Sequence, residues 1–177
     1  MKQTLLLLAL CIFNMVGFSQ FTSIARGPAF DEPENGFAKI LIMKNKNTAY
    51  VHVTNKDGIN IKLYDETHKQ FVTKNVSPKY GNLQQPSIEG CFEINEDITL
   101  LISEYDSRVP VLYRVVLSGK TGAIVSETEI ARLKKISFGA GYAMAYGGVP
   151  LPDFIVRKDP FSENYVVANF NTFVSES

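Results

Sequence analysis

Thr48-Ala49-Tyr50-Val51-His52-Val53-Thr54-Asn55-Lys56-Asp57-Gly58-Ile59-Asn60-Ile61-Lys62-Leu63-Tyr64 is the stretch that decides the fold. Its first seven residues are rich in β-branched and aromatic side chains, which suit a pleated, half-buried surface. Asn55 to Gly58 is a tight-turn signal with glycine at the left-handed position. Ile59 to Tyr64 then alternates apolar and polar residues at period two, as a strand with one buried face requires. The stretch therefore predicts two antiparallel strands joined by a short turn.

Working outward, the same pattern continues on both sides. Lys39-Ile40-Leu41-Ile42-Met43-Lys44 is a short apolar strand ended by Asn45-Lys46-Asn47. Asp65 to Lys69 is another turn, and Gln70-Phe71-Val72-Thr73-Lys74 another strand. Residues 39–76 thus form a unit of four strands. A second unit, about 91–127, runs through Cys91–Ile94, a turn at Asn95-Glu96-Asp97, Ile98–Glu104, a loop from Tyr105 to Pro110, Val111–Leu117, the turn Ser118-Gly119-Lys120-Thr121-Gly122, and Ala123–Ser126. Helix-forming residues over Glu127–Lys135 predict one short helix after it. A third unit, 153–177, holds Phe154–Arg157, a turn over Asp159–Asn164, and Tyr165–Phe170, and is incomplete.

The predicted fold class is all-β, built of four-stranded antiparallel repeat units. Radial repetition of such units gives a β-propeller, here a partial one. A β-sandwich of regular short strands is the alternative. Val116-Leu117-Ser118-Gly119-Lys120-Thr121-Gly122-Ala123-Ile124-Val125 resembles the outer hairpin of quinoprotein-type propeller blades, with Ser118 at that family's aspartate position and Ser126 at its tryptophan position. The chain contains no tryptophan. The resemblance implies a blade-like fold, while the missing aspartate and tryptophan leave no case for that family's quinone cofactor. The degenerate blades, together with the apolar run from Leu5 to Val16 behind Lys2 at the start of the chain, resemble a large group of secreted bacterial propeller-like repeat proteins, which implies fold and compartment and not activity. Closed propellers have roughly four to eight blades, so an N-terminal fragment of a longer protein is expected. The uncharged edge at Tyr165-Val166-Val167-Ala168 is expected to pair with other chains, giving self-association.

Residues 1–19 carry a second signal. Lys2 precedes an apolar run from Leu5 to Val16, and Gly17-Phe18-Ser19 supplies small residues before Gln20. That is the order of a cleaved signal peptide, so the chain is expected to be secreted or periplasmic. The run is shorter than the roughly 20 residues of a membrane span. A lipid-anchored Cys11 is rejected, because bulky Leu10 precedes it and it lies inside the run. Residues 20–38, with Gly27-Pro28 and Asp31-Glu32-Pro33-Glu34-Asn35-Gly36, predict an N-terminal arm. The β-propeller-like domain is placed at 39–177.

The chain carries 18 basic and 18 acidic residues and has no net charge. A nucleic-acid partner therefore has no electrostatic support, nor does polybasic attraction to a membrane. After leader removal Cys91 is the remaining cysteine, and it is expected to be a small buried apolar residue.

Few residues promise chemistry. Gly139-Ala140-Gly141-Tyr142-Ala143-Met144-Ala145-Tyr146-Gly147-Gly148 lacks the glycine that a dinucleotide fingerprint needs at Met144. It is expected to be a close-packed connector. Its functional reading is a ligand-binding loop presenting Tyr142 and Tyr146, flat rings suited to carbohydrate or peptide. Gly119-Lys120-Thr121 has Arg114 where a phosphate loop needs glycine, and predicts a hairpin turn. His52 and His68 lack zinc spacing, and no metal site is expected. No catalytic triad or nucleophile elbow occurs. Glu104 and Asp106, with Arg108 nearby, form a candidate carboxylate pair, more simply a solvated loop. Asn75-Val76-Ser77 matches a glycosylation acceptor but is followed by Pro78. No catalytic residue is assigned and no cofactor is expected. The expected function is a binding or scaffold module for a carbohydrate, a peptide or an envelope protein. Two other readings are a non-catalytic N-terminal part of an extracytoplasmic hydrolase acting on polysaccharide or peptide, and a purely structural β domain.

Overall fold

Two antiparallel meanders of four strands and one hairpin make up the structure. This computed structural model describes residues 35–55, 57–79, 86–137, 139, 141, 146–147 and 153–170. The expected leader 1–19 and most of the expected arm lie outside the described residues. The first sheet holds β1 (Phe37–Ile42), β2 (Thr48–Thr54), β3 (Gly58–Tyr64) and β4 (Gln70–Val76) in sequential order. The second holds β5 (Ser87–Ile94), β6 (Asp97–Asp106), β7 (Val109–Leu117) and β8 (Ile124–Arg132), again in sequential order. The third pairs β9 (Asp153–Lys158) with β10 (Tyr165–Phe170). The described part is all-β, and no helix in it is long and apolar enough to cross a membrane.

Local chemistry accounts for the turns. In the β3–β4 turn the Asp65 carboxylate accepts the backbone N–H groups of Thr67 at 2.9 Å and Lys69 at 3.0 Å. In the β9–β10 turn Asp159 accepts the Phe161 N–H at 3.0 Å and the Ser162 hydroxyl at 2.6 Å. An aspartate that bonds its own following backbone fixes the bend without a partner sheet. Gly119 has a different task. A Cβ there would sit 2.2 Å from the Glu96 carbonyl oxygen, so glycine is what lets the β7–β8 turn close on the β5–β6 turn.

The core has two parts because the second sheet is buried on both faces. Ile59, Ile61 and Leu63 of β3 and Val51 and Val53 of β2 pack against Ile98, Leu100 and Ile102 of β6 and Val115 and Leu117 of β7. On the other face, Leu101 and Leu112 pack against Phe154 and Val156 of β9. This explains the unbroken apolar run Leu100-Leu101-Ile102, where β3 alternates. A strand covered on both sides needs apolar residues at both parities. Each such fully buried side chain contributes about 1.5–3 kcal/mol of transfer free energy.

Four expectations are corrected. Glu127–Lys135 does not form a helix. Ile124–Arg132 is β8, paired with β7 from Leu117↔Ile124 to Val111↔Arg132, because a ladder on a buried strand outweighs the helix propensity of glutamate and alanine. The loop Tyr105–Pro110 is a two-residue turn at Ser107-Arg108, with Tyr105 opposite Pro110. The second unit begins at Ser87 rather than Cys91. A bulge between Ile88 and Gly90 interrupts the alternation there, so the strand is not legible by periodicity. Phe37 and Ala38, assigned to the arm, belong to β1.

Candidate functional site

Among the described residues the first strand of each sheet is also its terminal strand: β1, β5 and β9 pair only with β2, β6 and β10. β1 runs beside β5, and β5 beside β9. A groove of about 400 Å³ lies across these three strands, lined by Lys39 and Ile40, by Glu89, Gly90, Cys91 and Phe92, and by Val156, Arg157 and Lys158. That volume falls in the size range of small-ligand and peptide sites.

The bulge in β5 shapes the groove. It lets both Ile88 and Cys91 turn toward the first sheet, where each packs on the larger core. Phe92 turns the other way and joins the smaller core, its ring 6.4 Å from that of Tyr165. Gly90 keeps β9 close: a Cβ there would lie 3.3 Å from the Val156 Cγ1 atom and 2.7 Å from the Phe92 ring.

Three cations and one carboxylate set the field of the groove. Glu89 accepts the Ser103 hydroxyl at 2.6 Å. The Lys158 ammonium donates to the carbonyl oxygens of Ser162 at 2.6 Å and Asp159 at 3.1 Å. Arg157 donates one N–H to the Val156 carbonyl at 2.9 Å. Among the described residues, neither Lys39 nor Arg157 has a carboxylate within ion-pair distance. Burial pushes the Cys91 thiol up to about 12, with Lys39 pulling weakly the other way, so the sulfur stays protonated near neutral pH. The arrangement offers positive charge and free strand edges. Among the described residues it offers no activated nucleophile.

The turn cluster at one end of the sheets joins all three units. The Lys44 backbone N–H donates to the Glu93 carboxylate at 2.6 Å, and Glu93 is buried. The Lys44 ammonium pairs with Glu163 of the β9–β10 turn. Each sheet's first hairpin turn is thus tied to the others.

The residues singled out from sequence do not come together as one site. Tyr142 lies outside the described residues. Tyr146 is described and is 78 % exposed. Glu104 is buried and accepts the Tyr105 N–H at 2.9 Å. Asp106 binds Arg132 at 2.9 Å, which also holds Glu129 at 2.9 Å. Asp106, at the end of β6, is therefore part of a solvent-exposed ion-pair network. His52 lies buried on β2 and His68 sits in the β3–β4 turn, and no group of three or more potential metal ligands occurs among the described residues. Lys120 of the Gly-Lys-Thr turn pairs with Glu96 at 3.1 Å. Sequence reasoning missed Lys39, Glu89 and Arg157. The signal was there: each is a charged residue in or beside the apolar first strand of its unit.

No family model, no curated protein and no solved structure matches the chain.

Proposed function

We propose that the chain is a secreted or periplasmic binding module of β-propeller type, whose ligand occupies the groove across β1, β5 and β9. The observation that carries this reading is that the first strands of three consecutive sheets lie side by side and share one charged groove. Blades arranged around an axis bring their first strands together in this way. A two-layer sandwich accounts less well for a middle sheet packed on both faces. The export half of the reading rests on the order of Lys2, the apolar run and Gly17-Phe18-Ser19.

Two experiments test it. Intact-mass measurement on protein exported from a bacterial host should show loss of residues 1–19. Retention of the leader in the exported product would remove the compartment from the proposal. A glycan and peptide array probed with the wild-type chain, with Lys39→Ala/Arg157→Ala and with Lys120→Ala as a remote control should show hits that only the groove variant loses. Hits that survive in the groove variant would place the binding surface elsewhere.

A further inference from the structure

We infer that the groove takes an acidic peptide in extended conformation, laid along the free edges of β1 and β5. This rests on reading the groove as the binding site and names its ligand class. Three features support it together.

The first is charge. Lys39, Arg157 and Lys158 face one carboxylate, Glu89, which already accepts the Ser103 hydroxyl. Lys158 spends donors on two backbone carbonyls, so it supplies field more than direct contact. Lys39 and Arg157 lie at opposite sides of the groove, on β1 and β9, with no carboxylate partner among the described residues. Carboxylates on the ligand complete them.

The second is backbone. β1 and β5 each have one ladder edge that no strand of the described chain occupies. An extended peptide satisfies such an edge with its own N–H and C=O groups, and its alternate side chains face the same way roughly 6.6–6.8 Å apart. A ligand alternating acidic and apolar residues then places carboxylates toward the cations. Its apolar residues meet Ile40, which is 71 % exposed on β1.

The third is what the lining lacks. A sugar polymer is held chiefly by stacking on exposed flat rings, and among the described residues the lining offers only Phe92, half-buried and engaged with Tyr165. Main-chain pairing has what it needs in this groove, and ring stacking does not.

The test uses the mature chain and a short fluorescent peptide alternating glutamate and valine. Its lysine counterpart, a version N-methylated at alternate residues, and an oligo-uronate of matching charge complete the set. Fluorescence anisotropy should show binding of the acidic peptide alone, weakening as salt is raised. Lys39→Glu/Arg157→Glu should weaken it by at least about tenfold, and N-methylation should weaken it as much. Both substitutions fall on exposed side chains, and circular dichroism checks that the variant remains folded. Oligo-uronate binding that the charge reversal abolishes, without acidic-peptide binding, would overturn the peptide assignment and leave the groove as the site. Peptide binding indifferent to N-methylation would overturn the strand-edge geometry. Binding of any ligand unchanged by the charge reversal would overturn the groove reading as well, as would no binding of either acidic probe.

Discussion

The Lys44 ammonium pairs with the Glu163 carboxylate across 119 positions of sequence, joining the β1–β2 turn to the β9–β10 turn. The bond to Lys44 holds Glu163 below its ordinary 4.5, and the same bond holds Lys44 above its ordinary 10.5. A carboxylate depressed in the folded state stabilises it above the unfolded value, and that contribution is lost as pH falls through the folded value. The raised ammonium contributes below 10.5, and its share is lost as pH rises above that value. Glu163→Gln should therefore lower the urea midpoint at pH 7 by a small amount, since both side chains are exposed. The deficit should close as the pH is brought well below 4.5. Urea titrations of both proteins across that range check it, and a deficit constant with pH would show that the ion pair is not its source.

Leu100 and Leu101 are adjacent in β6, fully buried, and belong to different cores. Either truncation to alanine should cost about 2–5 kcal/mol. Their local effects should differ. Leu100→Ala loosens the junction of the first two sheets, whereas Leu101→Ala loosens the docking of β9 and β10. Hydrogen exchange of the wild type and both variants separates them: Leu101→Ala should raise exchange in β9 more than in β3. Equal loss of protection in both strands would mean that the two cores unfold as one unit.

Much of this layout was legible in the sequence, and the exceptions share a cause. Ile59-Asn60-Ile61-Lys62-Leu63-Tyr64 reads directly as β3 because one face is buried and the other is not. Gly90 and the bulge beside it hid the start of β5, since period two fails where two residues oppose one. Glu127, Glu129 and Arg132 suggested a helix because local propensity carries no information about the strand that waits to pair with them. The groove was the least legible part. Lys39, Glu89 and Arg157 lie in three separate units, and only the packing of β1 on β5 and β5 on β9 brings them to one place.

The turn between β6 and β7 carries removable strain. Ser107 and Arg108 have φ angles of 52° and 70°, the left-handed pair of a two-residue hairpin. Asparagine followed by glycine suits that pair far better. Ser107→Asn/Arg108→Gly should stabilise the fold by about 1 kcal/mol, less the extra chain entropy that glycine brings to the unfolded state. The Ile136 N–H bond to the residue 108 carbonyl, 2.9 Å long, uses backbone only and survives the change. Thermal unfolding followed by circular dichroism reads the effect. A lower midpoint in the double variant would mean that the Arg108 side chain contributes more than its backbone costs.

The outer strands differ in how they protect their edges, and this locates self-association. β4 carries Lys74 and the polar Thr73 and Asn75, and β8 carries Glu127, Glu129 and Arg132. Charges on an edge strand discourage pairing with another chain. β10, Tyr165-Val166-Val167-Ala168-Asn169-Phe170, has none, and it pairs only with β9 among the described residues. The chain should therefore associate through β10 as its concentration rises. Val166 is 61 % exposed, whereas Val167 packs on the smaller core, so Val166 is the position at which to place a charge without disturbing the fold. Val166→Lys should restore a monomer with an unchanged circular dichroism spectrum. Light scattering across a concentration series decides the matter. A wild-type chain that stays monomeric at high concentration, or an assembly that persists in the variant, would show that β10 is not an open edge.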